Sequence, residues 1–255
     1  ACTSAVVSGK VTPDGRPLLW KNRDTDFMRN HVDYVKGERY DFIAVVNSAN
    51  AYLKEAWMGT NSAGFALMNT QSYNLVDVKG DEERGAANGR VIYRALEVCA
   101  TVEDFCHFLD TISKPSDIEA NFGVIDAQGG AAMFEVDYYK YVMYDANNPK
   151  DAPYGYIART NFSFAGKVNE GAGYVRYMEA DQVLMKASAT GSITPQFIFN
   201  DLSRSFRNRM LDIDLRSGVY NRPQASGWFV DQDFIPRSST SCSVVVQGVK
   251  PGEKA

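Results

Sequence analysis

A cysteine stands second in the chain, and a tetrad with three charged residues follows the first apolar run. The sequence opens Ala-Cys-Thr-Ser over residues 1–4 and reaches Lys-Asn-Arg-Asp over residues 21–24. An α-amine titrates near ~8 and a free thiol near ~8.5, so the amine of an N-terminal cysteine can accept its own thiol proton at almost no free-energy cost. Because that amine is free only after Ala1 is removed, we hypothesise that Cys2 is the nucleophile of a processed enzyme.

Two other interpretations of Cys2 stay open from these residues. An Ala-Cys start is also typical of lipid-anchored secreted proteins, in which Cys2 would carry acyl chains and the protein would bind a small ligand. The strand predicted directly after Cys2 argues against this interpretation, since a flexible polar tether usually follows such an anchor. In the third interpretation Cys2 is an ordinary small apolar residue.

Length and composition limit the classes of function. The chain has 255 residues, of which 45% are hydrophobic and 23% charged, as expected for one soluble globular domain over residues 1–255. The formal net charge of -4 gives no basic surface for nucleic acid, and no apolar run reaches the ~20 residues that a membrane helix needs. We therefore expect a small-molecule substrate, no nucleic-acid partner and no transmembrane segment, and a homo-oligomer stays open.

The start of the chain and its few metal-binding residues give further expectations. The sequence begins without methionine, at a small residue that a signal peptidase leaves or removes, so we expect an exported protein, periplasmic or at the cell surface. Its 4 cysteines are too few for a disulfide scaffold, although a single bridge stays open. With 2 histidines and neither Cys-x-x-Cys nor His-Glu-x-x-His, we expect no metal site and no cofactor.

A hairpin at the start of the chain should bring Cys2 towards the charged tetrad. Residues 3–11 and 18–22 are predicted strands, and the turn between them contains Pro13, Gly15 and Pro17. Proline presets φ and glycine accepts positive φ, so this composition is typical of a tight turn. Cys2 and Asp24 would then lie at the ends of paired strands.

The remaining pattern predicts strands and helices in alternating groups. Further strands are predicted over residues 42–46, 52–58, 65–69, 121–126, 131–137, 139–144, 154–159 and 240–247. An apolar period predicts a helix over residues 91–99, and Thr101 with Asp104 predicts a capped helix that ends before Pro115. Two more helices are predicted over residues 173–187 and 195–206, then a long loop over 207–226. This order favours antiparallel sheets with helices layered outside them.

Short motifs occur along the chain in an order that resembles a known family. They are Cys-Thr-Ser at 2–4, the hairpin, Lys-Asn-Arg-Asp at 21–24, Asn61-x-x-Gly64 leading to Asn69, Arg-Thr-Asn-Phe at 159–162, and Arg176. The set resembles the N-terminal-nucleophile (Ntn) linear amide hydrolases, in the branch of choloylglycine hydrolases, penicillin V acylases and acid ceramidases, and most closely the isopenicillin N acyltransferase-like group. The resemblance implies an α+β fold, a four-layer αββα sandwich of two antiparallel sheets, and cleavage of a non-peptide or side-chain amide or acyl transfer at the same site.

The resemblance also implies a role for each site residue. Cys2 would be the nucleophile, and Asp24 would bind and orient its α-ammonium. Asn161 and Asn69 would donate their amides to the tetrahedral oxyanion, where losing one donor typically costs ~10² to 10³ in rate, and a neutral amide donates without bringing a charge. Arg176 would support the surroundings of the nucleophile, since a guanidinium can hold groups in register through paired bonds.

The chain departs from the family pattern at three places. Bile-salt and penicillin acylases carry arginine where this chain has Lys21, and Arg23 lies on the same strand face by alternation, so either can replace the family arginine. The Lys-Asn-x-Asp form is also typical of the dipeptidase and secernin branch. Ala1 blocks the amine of Cys2, and relatives continue past the equivalent of Ala255, so we expect that a further segment completes the sheet. From the residues alone, Asn61 and Gly64 are typical turn formers.

Overall fold

The computed structural model describes residues 1–77, 83–217 and 231–255, whose strands and helices are numbered here in chain order. The strands are β1 Cys2–Val7, β2 Leu18–Asp24, β3 Asn30–Val35, β4 Phe42–Asn47, β5 Met58–Asn61, β6 Ala66–Gln71, β7 Ala120–Ile125, β8 Ala131–Val136, β9 Tyr141–Asp145, β10 Tyr156–Arg159, β11 Arg207–Asn208, β12 Ile213–Asp214 and β13 Thr240–Gln247. The helices are α1 Asn88–Val98, α2 Val102–Thr111, α3 Tyr174–Ala189 and α4 Pro195–Phe197.

The described strands pair into two large antiparallel sheets and one short hairpin. The first sheet has four strands in the order β10-β1-β2-β13, and the second has seven in the order β3-β4-β5-β6-β7-β8-β9. Strands β11 and β12 form the hairpin. In the first sheet, the central pair β1 and β2 places Cys2 opposite Arg23 and Ser4 opposite Lys21. The predicted hairpin is therefore confirmed.

Three apolar layers hold the sheets and helices together. Side chains of alternating residues of β1 and β2, such as Val6 and Leu19, pack against the seven-stranded sheet. The intervening residues, such as Val7 and Trp20, pack against α3 and the segment after it. Helices α1 and α2 pack on the outer face of the seven-stranded sheet. The sequence-based expectation of a four-layer αββα sandwich is confirmed.

Side chains of both sheets pack tightly around Gly123 in β7. A Cβ atom built there would lie 2.3 Å from Met68 Cε and 2.9 Å from both Leu19 Cδ1 and Val6 Cγ2. A larger residue at this position would force Met68, Leu19 and Val6 to shift, so glycine fits best where the sheets meet. This contact fixes the spacing of the layers close to the strands that carry the site.

Several local predictions are confirmed. Thr101 accepts from the backbone of Asp104 and the Asp104 carboxylate accepts in return, which completes the capping box of α2. Asn61 accepts from the backbone N–H groups of Ala63 and Phe65 and thereby closes the turn before β6. Gly64 has a φ of 82° in the same turn. Asn61 and Gly64 are therefore turn formers, and β13 has the predicted bounds.

Other boundaries predicted from the sequence are wrong. Residues 48–53 form 3-10 turns where part of the strand 52–58 was expected, because Lys54 has a left-handed φ of 55° that no strand continues. Strand β1 ends at Val7, and a 3-10 turn over Gly9–Val11 follows, with the Ser8 hydroxyl capping it. Strand β3 was not predicted: it pairs with β4, but its exposed side chains give no apolar period.

The last predicted helix and loop are also revised. The helix expected over 195–206 ends at residue 202, after a π-helical turn over Ile198–Leu202. There Ser203 is held by the tetrad residue Asn22, which accepts from its hydroxyl at 2.8 Å and donates to its carbonyl at 3.1 Å. The expected loop 207–226 begins with the hairpin of β11 and β12, and its residues 218–226 lie outside the described part of the chain.

The four cysteines are Cys2, Cys99, Cys106 and Cys242, and all of them are free. Within residues 1–77, 83–217 and 231–255, no helix combines the length and the hydropathy that crossing a bilayer requires.

Candidate active site

The hairpin places Cys2 at the start of a buried strand, next to the charged tetrad. Backbone bonds join Ala1 and Asp24 in both directions, at 2.9 Å from Asp24 N to Ala1 O and 3.1 Å from Ala1 N to Asp24 O. Cys2 itself is 6% exposed. The site therefore begins where the first strand begins, and the peptide bond after Ala1 lies against the backbone of Asp24.

Asn161 and Arg176 bind the backbone of Cys2 from the other side. The Cys2 backbone N–H donates to Asn161 Oδ1 at 2.9 Å, and Arg176 Nη2 donates to the same oxygen at 2.7 Å. Arg176 Nη1 donates to the Cys2 carbonyl at 2.6 Å and to the Thr3 hydroxyl at 2.9 Å. Three residues singled out in the sequence are thus joined in one buried hydrogen-bonded group.

Asn161 lies just after β10, on a segment that buried polar side chains hold in place. Glu135 of β8 accepts from Arg159 Nε at 2.9 Å and from the backbone N–H groups of Phe164 and Ala165 at 2.6 and 2.9 Å. Asn161 also pairs through its backbone with Ala172, just before α3. Hydrogen bonds therefore hold the segment on both sides of Asn161. They also position the first turn of α3, which carries Arg176.

We expect Glu135→Ala to unfold this segment and to destabilise the protein. The substitution leaves Arg159, which is 2% exposed, without its buried ionic partner, and breaking such a pair typically costs about 3–5 kcal/mol. Urea unfolding measures the loss. A matched control is Glu253→Ala, which removes an exposed carboxylate paired with Arg16 and should hardly change the unfolding midpoint. Equal effects of the two substitutions would contradict this role of Glu135.

Lys21 and Asn69 form the second bonded group of the site. Lys21 Nζ donates to Asn69 Oδ1 and to the Trp57 carbonyl, both at 2.9 Å. Because an ammonium group can only donate, it fixes the Asn69 amide with its oxygen towards Lys21 and leaves Nδ2 as a donor. Asn161 is oriented in the same way, with Oδ1 bound by two donors and Nδ2 donating to the Gln71 carbonyl at 2.8 Å. One N–H of each amide can serve a reacting oxygen.

Burial lowers the pKa of Lys21 to about 8 from 10.5, and the nearby Cys2 sulfur opposes this shift. The folded chain therefore releases the Lys21 proton at lower pH than the unfolded chain, so the stability that Lys21 contributes rises as the pH increases from about 8 to 10.5.

We expect the free energy of unfolding of the wild type, relative to Lys21→Met, to increase by about 2–3 kcal/mol across this pH window, since one pKa unit corresponds to about 1.36 kcal/mol. Urea unfolding of both proteins between pH 7.5 and 10.5 measures the difference. A difference that does not change with pH would show that Lys21 titrates at its ordinary value.

Asp24 does not contact the Cys2 nitrogen through its carboxylate in this structure. Its carboxylate accepts from the Thr240 hydroxyl at 2.6 Å and lies 3.5 Å from Arg237 Nη1. Burial raises the pKa of Asp24, and the Thr240 bond and the two arginines Arg176 and Arg237 oppose this. The structure thus places Asp24 beside the start of the chain, while the Cys2 nitrogen is bound by Asn161.

Arg23 and Lys21 share one face of β2, as the alternation predicted. The Arg23 guanidinium lies 5.1 Å from the centre of the Trp57 ring, and its Nη2 donates to Asn47 Oδ1 at 2.6 Å. Opposite Arg23, in register on its two sides, lie Cys2 on β1 and Cys242 on β13. Lys21 and Arg23 are therefore both part of the candidate site, and Trp57 contacts each of them.

The structure adds residues that the sequence analysis missed. Trp57 contacts both cations, and Thr240 and Arg237 bind the Asp24 carboxylate. Tyr73 lies near the Cys2 sulfur, and burial followed by this nearness raises its pKa. No local motif marks these residues. Only the position of Thr240 at the start of a predicted strand pointed to this end of the molecule.

Comparisons with known proteins find one matching family model and solved structures of the same fold. The family model described as acyl-coenzyme A:6-aminopenicillanic acid acyl-transferase matches residues 11–188, a range that contains every predicted site residue except Cys2. A comparison with curated proteins finds no match.

Solved structures show the same fold at low sequence identity. An N-acylethanolamine-hydrolyzing acid amidase ortholog of Caenorhabditis elegans has a TM-score of 0.52 at 15% identity, and the match covers 79% of this chain and 89% of that chain. The thermostable penicillin G acylase of Alcaligenes faecalis has a TM-score of 0.55 at 11% identity, over 80% of this chain and 52% of that one. The shared architecture is that of the Ntn hydrolases.

Proposed function

Because this chain belongs to the acyl-coenzyme A:6-aminopenicillanic acid acyl-transferase family, we propose that it cleaves a linear amide bond of a small molecule through a thioester on Cys2. The observation that carries the proposal is the bond from the Cys2 nitrogen to Asn161 Oδ1 at 2.9 Å, with Arg176 bound to both residues. A nitrogen held in this way, next to the sulfur of the same residue, is placed to act as that sulfur's base once it is a free amine.

The reaction that this geometry supports has four steps. After the Ala1–Cys2 bond is cleaved, the Cys2 amine takes the thiol proton, and the thiolate attacks the amide carbonyl carbon to form a C–S bond. The carbonyl oxygen becomes an oxyanion, which the Nδ2 groups of Asn161 and Asn69 stabilise by donating to it. The C–N bond then breaks as the leaving amine takes the proton from the Cys2 ammonium. Water, deprotonated by the same amine, hydrolyses the thioester and restores Cys2.

Within this mechanism Asp24 keeps the role that the resemblance implies, as the residue that holds the new ammonium. Removing Ala1 frees the backbone carbonyl of Asp24, which accepts from Ala1 N at 3.1 Å in this structure. Asp24 is 3% exposed, and its carboxylate lies beside Arg237. Because little water screens this carboxylate, its negative charge attracts a nearby ammonium strongly. Both groups favour the protonated state of the amine after it has accepted the thiol proton.

Acyl transfer is a second candidate, favoured by the family model, whose description names an acyl-transferase. The first half of the reaction is the same, and an amine in place of water takes the acyl group from Cys2. Product analysis with a competing amine separates the two reactions. Hydrolysis gives the free acid alone, while transfer gives the new amide.

Intact mass, N-terminal sequencing and iodoacetamide labelling of the mature protein test the proposal. We expect a chain that begins with Cys2, one carbamidomethyl group on Cys2, and loss of amidase activity in step with that labelling. Processing at export would supply the cleavage. An active chain that retains Ala1 would contradict the proposal, and a mass increment of acyl chains on Cys2 would instead support a lipid-anchored binding protein.

A further inference from the structure

Arg23 has an unused charged donor at the centre of the site. The residue is 4% exposed, its Nη2 donates to Asn47 Oδ1 at 2.6 Å, and its ring contact with Trp57 covers one face of the guanidinium. Its Nη1 is buried and has no hydrogen-bond partner. Leaving a buried charged donor without an acceptor costs more free energy than leaving a neutral one, and a ligand that accepts from Nη1 would remove this cost.

The unused donor lies beside the nucleophile. Arg23 is directly opposite Cys2 in the pairing of β1 with β2, so both side chains lie on the same face of the sheet. Burial lowers the pKa of Arg23, and nearness to the Cys2 and Cys242 sulfurs opposes this shift. A group bound to Nη1 would therefore lie on the face of the sheet that carries the Cys2 side chain.

Positive charge exceeds negative charge around Cys2. Among the described residues, Lys21, Arg23 and Arg176 form no ion pair with a carboxylate, while Arg237 pairs with Asp24, whose negative charge also acts on Arg176. Removing a cation from water is costly unless an anion compensates for it. This site therefore has the charge to receive an anionic group.

We infer that Arg23 binds a carboxylate of the substrate, close to the amide bond that Cys2 cleaves. A guanidinium presents a planar set of donors that fits a carboxylate, and Nη1 is the part of the set that is not already used. This inference rests on the proposed function for the reaction, and it adds the substrate class. The carboxylate can belong to the leaving amine, as in an N-acyl amino acid, or to the acyl group, as in a dicarboxylic acid monoamide.

Two matched pairs of substrates test the inference and separate these two sources. N-butyrylglycine and N-butyrylglycinamide differ only in a carboxylate on the leaving side, and succinyl and succinamoyl p-nitroanilide differ in the same way on the acyl side. We expect the wild type to prefer the acid by at least ~10-fold in kcat/KM in one pair, as is typical of a charge-assisted bond. In Arg23→Met, kcat/KM for the acid should fall at least ~10-fold more than kcat/KM for its neutral partner. The preference of Arg23→Lys for the acid should lie between those of the wild type and Arg23→Met.

Controls distinguish this role from a structural one. Arg94→Met removes an exposed arginine from α1 on the far side of the seven-stranded sheet, and it should keep the wild-type preference. Equal losses for acid and neutral substrate in Arg23→Met, or no preference in the wild type, would overturn the inference.

A binding measurement separates failure of the inference from failure of the proposed function. Cys2→Ala protein, titrated calorimetrically with N-butyrylglycine, N-butyrylglycinamide, succinate and succinamate, reports carboxylate recognition without turnover. If the wild type cleaves no amide but this protein binds an acid at least ~10-fold more tightly than its neutral partner, and Arg23→Met removes the difference, the site assignment holds and the proposed reaction fails. Binding without any preference for the acids overturns the inference whatever the activity.

Discussion

Replacing Cys2 by alanine is expected to lower amidase kcat/KM by at least ~10⁴-fold, because the substitution removes the atom that forms the acyl intermediate and no other group can replace it. The fold should persist, since the bonds of this residue to Asn161 and Arg176 use its backbone N–H and carbonyl. Steady-state hydrolysis of a panel of N-acyl amino acids, bile-salt conjugates, penicillin V and short peptides measures the loss, and urea unfolding checks the fold.

Cys106 supplies the matched control for this prediction. Its thiol lies on α2, outside the seven-stranded sheet and away from the site. Cys106→Ala should therefore keep both the activity of the wild type and its single carbamidomethyl group. An active Cys2→Ala protein would mean that the chemistry belongs to a different residue, and the assignment of the site would then have to be abandoned.

Asn161→Ala is expected to lower kcat by about 10² to 10³, the usual effect of removing one donor to a tetrahedral oxyanion. The decrease in kcat should be larger than for a residue that only positions its neighbours, because the Asn161 side chain also accepts from the Cys2 nitrogen and from Arg176. Single-turnover measurement of acyl-enzyme formation is the appropriate assay, since it reports on the step in which the oxyanion forms.

Asn161→Asp separates the two roles of this side chain. Aspartate keeps an oxygen for the Cys2 nitrogen and for Arg176 but has no amide N–H to donate. If Asn161 acts as a donor to the oxyanion, the aspartate variant should be as slow as the alanine variant. Both variants also lose the bond from Nδ2 to the Gln71 carbonyl, so urea unfolding of each checks that it is folded. If Asn161→Asp retained activity within tenfold of the wild type, the oxyanion role would be wrong and only the holding role would remain. Asn148→Ala, at an exposed loop position, serves as the control.

Much of the fold could be predicted from the sequence because the signals are local. The turn between β1 and β2, the capping box of α2 and the apolar period of α1 each depend on residues close together in the chain. These signals, in their order, were enough to predict two antiparallel sheets with helices outside them. Strand β3 escaped prediction because it is defined by pairing with β4, while its own side chains are largely exposed and carry no period.

The candidate site also has a part that the sequence predicted and a part that only the structure showed. The sequence identified Cys2, Lys21, Arg23, Asp24, Asn69, Asn161 and Arg176 as a set, because the family order of short motifs is visible along the chain. It could not say which of them touch. The bond between Lys21 and Asn69 joins residues 48 positions apart, and that between Cys2 and Asn161 joins residues 159 positions apart.

The sequence by itself predicted the layered antiparallel sheets and gave the hypothesis for the chemistry, in which the nitrogen of a cysteine becomes its base and two amides donate to an oxyanion. Only the tertiary structure decided that Asn161 binds the Cys2 nitrogen while the Asp24 carboxylate is bound by Thr240 and Arg237. It also decided that Nη1 of Arg23 is left without an acceptor beside Cys2. The physical reason is that hydrogen-bond partners in a buried site are set by the packing of separate strands, and no local pattern of residues encodes that packing.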